Sequence, residues 1–90
     1  MQKTTTTKPA KLIISDRLKS AIRDTWSYIA ADAMELVRNN ADAIEFCVDA
    51  GRLREHGGDE TAANELDALF DTYGWNQVFT ALSRTVRLVI

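Results

Sequence analysis

His56 is the only imidazole in the chain and Cys47 the only thiol. Glu55, Asp59 and Glu60 flank the histidine, a grouping that invites a cation. Zinc sites, however, use three or four ligands at recognisable spacing, and one histidine beside Gly57-Gly58 does not meet that requirement. Cys47 lies between Phe46 and Val48 in an apolar helical pattern, which assigns it to the core as a small hydrophobe. No base partner for it is identifiable, and neither a phosphate-binding glycine loop nor a nucleophile elbow occurs. Acids are numerous, but none is paired in a way that singles out acid–base work. The sequence therefore predicts no enzyme, no metal and no cofactor. It predicts a protein that works by binding.

Three sets of side chains are candidates for that work. The first is a surplus of large apolar groups. Trp26, Tyr28, Phe46, Trp75, Phe79 and Leu88-Val89-Ile90 exceed what the inner faces of short helices need, and leftover aromatics often mark an interface. Trp26, Phe46, Trp75, Phe79 and Ile90 are the candidate contact residues, for a second copy or for another protein.

The second set is basic and polar. Lys8 and Lys11 precede a helix whose first turn carries Arg17 and Lys19, where the helix dipole disfavours positive charge. Folding gains nothing evident from that placement, whereas a phosphate backbone would bind it. Further on, two amphipathic helices separated by Gly74-Trp75-Asn76 resemble the outline of a helix-turn-helix, with Gln77, Thr80, Arg84 and Arg87 on one face of the second helix. Three features oppose DNA recognition there. The preceding helix is acidic, the last helix becomes apolar at its end, and Thr80 falls where such units want an apolar residue.

The third set is acidic. Asp42, Glu45 and Asp49 recur at spacings of three and four on one helix, and Glu60, Asp67 and Asp71 lie on the outer face of another. Together they present phosphate-like charge to a basic partner, as a small inhibitor mimicking nucleic acid would.

The elements that must position these groups follow from hydrophobic periodicity. Residues 1–10, with four consecutive threonines and Pro9, show no apolar period and read as a flexible basic arm; residues 11–14 are an apolar lead-in. A first helix starts at Ser15 or Asp16 and runs to about Arg38 on the stripe Leu18, Ile22, Trp26, Ile29, Ala33 and Leu36 or Val37. A second spans Ala41 to Ala50, capped by Asn40, stopped by Gly51, with Ile44, Cys47 and Val48 inward. Residues 51–58 read as a loop. Asp59 caps a third helix over Glu60 to Tyr73, with Ala62 or Ala63, Leu66, Leu69, Phe70 and Tyr73 inward. Asn76 caps a fourth from Gln77 onward, with Val78, Leu82, Val86 and Val89 inward. Lys11-Leu12-Ile13-Ile14 and Arg87-Leu88-Val89-Ile90 are near-copies, short and β-branched enough to be strands; the favoured alternative is that Leu88 to Ile90 ends the last helix.

Composition sets the outer limits. Ninety residues make one domain, with 46% hydrophobic and 27% charged residues, an ordinary globular balance. The net charge of −2 hides a division: residues 1–23 carry six basic groups against Asp16 alone, while residues 24–80 carry twelve acids against Arg38, Arg52 and Arg54. A single cysteine excludes an internal disulfide. The polar amino terminus does not read as a signal peptide, and no apolar run approaches the roughly 20 residues of a membrane span. The expectation is a cytoplasmic, all-α bundle of three to four helices, with an arm and lead-in over 1–14 and one domain over 15–90. Its expected function is a non-catalytic protein–protein interaction module, homodimeric, with an accessory or regulatory role. DNA regulation and acidic inhibition are the alternatives. In style (short, helical, acidic) the chain is similar to many accessory proteins of phages and plasmids.

Overall fold

The computed structural model describes residues 12–90; the first eleven, and with them the expected arm and its Lys8 and Lys11, lie outside the described residues. The fold is all-α. Five helices follow one another among the described residues: α1 (Asp16–Ala33), α2 (Asn40–Cys47), α3 (Ala50–Arg52), α4 (Glu60–Tyr73) and α5 (Trp75–Thr85). A 3-10 turn, Met34–Leu36, extends α1, and one π-helical turn, Leu53–Gly57, continues α3.

Ser15 caps α1, its hydroxyl accepting from the Leu18 N–H at 3.1 Å and donating to Glu65 of α4. One residue thus starts the longest helix and ties it to the helix packed alongside. The stripe Leu18, Ala21, Ile22, Trp26 and Ala33 is buried, as its period demands. The helix stops earlier than Arg38. After the 3-10 turn Val37 becomes extended and buried, leaving Leu36 exposed.

The second helix also departs from expectation. Asn39, not Asn40, is its cap, accepting from the Asp42 N–H at 2.9 Å. Asn40 is thereby released for a different task. Its carboxamide nitrogen donates to the carbonyls of Ser83, at 3.2 Å, and Val86, at 2.7 Å, while its oxygen accepts from the Leu88 N–H at 2.7 Å. A helix end leaves four carbonyls without partners. Here one side chain from α2 takes up the end of α5 and the segment beyond it.

Gly51 does not terminate α2, since its φ is not positive; the left-handed residue is Gly58, at φ 65°. Between them the expected loop is helical. The π-helical turn buries Leu53 completely and lays Gly57 on α1, where an added Cβ would sit 2.8 Å from the Thr25 hydroxyl and 3.1 Å from the Ala21 carbonyl. Thr25 is fully buried and donates to that same carbonyl at 2.8 Å. The absence of a side chain at Gly57 is what permits the approach.

Asp59 caps α4, accepting from the Ala62 N–H at 3.0 Å, and the helix ends at Tyr73. Its inner face is Ala62, Ala63 and Leu66, with Leu69, Phe70 and Tyr73 half-buried. Gly74, at φ 86°, is the whole connection to α5. α5 therefore starts one residue before the expected Asn76 cap, with no side-chain cap at all. Val78, Leu82 and Val86 are buried as expected. Val89 is not, being 86% exposed.

Residues 86–90 are neither the end of a helix nor a strand, and no strand occurs among the described residues. Val86 is extended and Leu88 turns in, while the Val89 carbonyl accepts from the Trp26 indole at 2.6 Å. The two side chains that hold this segment lead to a stability prediction. Asn40→Ala removes three hydrogen bonds and should lower unfolding free energy by about 2–3 kcal/mol. Asn39→Ala, which removes one cap bond, should cost about 1 kcal/mol. Urea unfolding followed by circular dichroism measures both, and equal costs would show that the carboxamide holds nothing beyond its own helix.

Candidate functional site

The α4–α5 join creates the main aromatic feature. Gly74, at φ 86°, is the single residue between the helices, and the ring of Phe70, one turn from the end of α4, meets Trp75, the first residue of α5. The i, i+4 spacing along α5 then stacks Phe79 on Trp75 as well. Ring centroids are 5.4 Å apart at both steps, with planes inclined by 19° and 7°. The outer rings are half-buried and Trp75 is 45% exposed. No residue partners its indole N–H among the described residues. The result is a platform of three packed rings, partly open to solvent.

The other expected contact residues are distributed differently. Trp26 is 4% exposed and lies in the core, with its N–H given to Val89; it is a structural residue and is corrected as such. Its position in the α1 stripe was legible, but the tail that covers it was not. Phe46 is half-buried under the Arg52 guanidinium, 5.7 Å from its ring centroid, and Arg52 also donates to the Phe46 carbonyl. Ile90 is 44% exposed, away from the stack in sequence and on the segment held by Asn40.

The basic set divides in the same way. Arg17 is committed to Asp59, its Nε lying 3.0 and 2.9 Å from the two carboxylate oxygens. That pair fastens the first turn of α1 to the cap of α4, which is the structural use of a charge placed against its own helix dipole. Lys19 is half-buried. Gln77, Thr80 and Arg84 are exposed along α5, with Arg87 exposed beyond its end, and none of the four side chains has a partner among the described residues. The connection before them is one residue, shorter than the three- or four-residue turn of a helix-turn-helix.

The acids are partly spent on local structure. Asp42 accepts from the Arg38 backbone at 3.0 Å and Asp49 from the Gly51 backbone at 2.8 Å. Asp67 pairs with Arg54 at 3.3 Å, and the same guanidinium reaches Asn64 at 2.9 Å and Glu60 at 3.8 Å. Glu45 and Asp71 remain exposed and unpaired among the described residues. Leu36, Arg38, Asp42, Glu45, Phe46 and Arg52 line an open groove of about 600 Å³. Arg52 and Arg54 were not singled out in the sequence, because both fall in the stretch that reads as a loop.

The two chemistry-bearing residues, His56 and Cys47, sit in separate surroundings. His56 stacks on the exposed Tyr28, with centroids 4.5 Å apart and planes at 23°, and its Nε2 lies 3.7 Å from Glu55. Among the described residues no three His, Cys, Asp or Glu side chains gather to hold a metal. Cys47 is fully buried, and that burial pushes its thiol up to about 12, only partly opposed by Arg52. It stays protonated at neutral pH, so the reactive thiolate is missing. No described helix is long and apolar enough to cross a membrane. Set against protein-family models, curated proteins and solved structures, the chain shows no significant match to any.

Asp59 supplies a pH prediction. The Ala62 backbone N–H, and then Arg17, hold its carboxyl below the usual carboxylate value. A carboxylate depressed on folding stabilises fully above its unfolded pKa, about 3.9, and loses that contribution as pH falls through the lower folded value. Asp59→Asn keeps the capping oxygen and removes the charge. The variant should therefore unfold at lower urea than the parent at pH 7, with the gap closing towards pH 2. A gap that stays constant across that range would rule out the carboxylate charge as its source.

Proposed function

We propose that the protein is a non-catalytic interaction module that binds another protein through the α4–α5 join and self-associates as a dimer. The observation that carries this reading is the Phe70–Trp75–Phe79 stack. Interface energy concentrates in a few rigid aromatic anchors, with Trp and Tyr over-represented among them. Rings already stacked lose little freedom on binding, so the entropic cost of ordering them is low. The neighbouring Asp71 and Asn76 are exposed and give the platform a polar rim. A protein of this size buries only about 60–65% of its unfolded surface, which favours a partner subunit. A single reduced, buried thiol suits a cytoplasmic setting.

Trp75→Ala and Phe79→Ala should leave the helical circular dichroism signal intact while weakening partner capture by about 30-fold or more, the scale of a 2 kcal/mol hot spot. Comparison of affinity pull-downs from host lysate for parent and variants reads this directly. Capture that survives both substitutions would remove the stack from the interface.

A second reading, duplex DNA binding, draws on one specific observation: the unpartnered row Gln77, Thr80, Arg84 and Arg87. It predicts binding of a mixed duplex pool at low salt, a steep decline with added salt, and weakening by Arg84→Ala with Arg87→Ala. Fluorescence anisotropy with no response at 20 mM salt would eliminate it.

A further inference from the structure

The open groove of about 600 Å³ includes no residue of the three-ring stack or of the α5 row, and its lining is both apolar and charged. Leu36 and Phe46 are its apolar residues. Phe46 is half-buried, whereas Leu36 is 67% exposed, and Met34 in the same 3-10 turn is 41% exposed. The period of α1 would turn Leu36 inward, but the extended Val37 takes the buried place instead. Single exposed apolar side chains are ordinary. Here two of them occupy the turn that helps to line a concave surface, and their burial is still to be gained.

The charges select the occupant. Arg38 and Arg52 stand against Asp42 and Glu45, so the lining sums to zero and favours neither a simple anion nor a simple cation. Two of the four already have work within the chain. Arg52 lies over the Phe46 ring and donates to the Phe46 carbonyl, and Asp42 accepts from the Arg38 backbone N–H. The side chains of Arg38 and Glu45 remain, both exposed, opposite in sign and without a partner among the described residues. They line one groove, yet no ion pair joins them. Such a surface is matched by its own copy turned about a two-fold axis, because each arginine then meets the other copy's glutamate.

We propose that two copies of this chain meet groove to groove, with Leu36 of each entering the groove of the other and Arg38 of each pairing with the partner's Glu45. The inference rests on the self-association reading above and says where the copies meet. Leu36, Met34 and Phe46 form the apolar centre of the contact and the charges its rim. The contact is isologous, so it closes as a dimer. It uses none of the residues of the Phe70–Trp75–Phe79 stack, which stays available to a different protein.

Charge reversal in the full chain tests the placement. The parent should scatter light with a mass near twice 10.1 kDa. Arg38→Glu alone sets like charges against each other at both ends of the contact, and so does Glu45→Arg alone. Each should raise the dimer dissociation constant about tenfold or more while the helical circular dichroism signal is retained. An equal mixture of the two single variants should recover the dimer, since opposite charges then meet again between unlike copies. Leu36→Asp should be monomeric. If the parent is dimeric but either reversal or Leu36→Asp keeps the parent's mass, or the mixture stays monomeric, the placement is overturned and self-association stands. A parent that stays monomeric at millimolar concentration overturns both.

Discussion

The carboxamide of Asn40 is the contact on which the rest of the structure depends. Three hydrogen bonds run from it to Ser83, Val86 and Leu88, more than forty residues away in sequence. Carbonyls at the end of α5 and the backbone beyond it would otherwise compete for water beside an apolar core, and unmade bonds there are costly. An amide offers a donor and an acceptor side by side, so it can bind the carbonyl of one residue and the N–H of the residue two further on. It acts on Val86 and Leu88 as a strand of one residue. With that segment held, the Val89 carbonyl reaches the Trp26 indole, and α1, α2 and α5 are locked around Leu18, Ile22, Ile44, Val78 and Leu82.

A second constraint acts on the adjoining face of α1, at Ala21 and Thr25. The π-helical turn can lie on the helix only because Gly57 carries no side chain and Thr25 has turned its hydroxyl back onto Ala21. A β-branched hydroxyl residue fully buried in a helix is costly unless it bonds its own backbone, and Thr25 does so. The wider turn accommodates Leu53 in the core and leaves His56 over Tyr28 on the surface. Turns of this kind are often found at functional sites. Here its work is visible as packing.

These two constraints separate what the sequence discloses from what it hides. Helix α4 was legible at both ends, because Asp59 and Gly74 act locally and the apolar period between them is unbroken. The buried stripe of α1 was legible for the same reason. The rest depended on distance. Nothing local distinguishes Asn39, which caps, from Asn40, which reaches across to α5. Nothing local predicts that the expected loop holds a π-helical turn over Leu53–Gly57, since the reason lies at Ala21 and Thr25. The segment after α5 reads as helix or strand by composition, and its actual path follows from Asn40 and Trp26. Among candidate binding residues, Trp75 and Phe79 could be found as a surplus of apolar side chains, whereas Trp26 could be excluded only by seeing its cover.

The same separation bears on the charge asymmetry of the chain. Arg17 against its helix dipole resembles a recognition feature until Asp59 is found opposite it; Asp42, Asp49 and Asp67 look like an acidic surface until their backbone and Arg54 partners are counted. Exposed pairs of this kind contribute little to stability, but each removes a charge from the set available to a partner. The charges left unpaired among the described residues are of both signs, Asp16, Glu45 and Asp71 among the acids and Arg84 and Arg87 among the bases. A scattered field steers weakly and specifies little. On the proposed binding reading, specificity then falls to shape and apolar contact, which the stacked rings of Phe70, Trp75 and Phe79 supply.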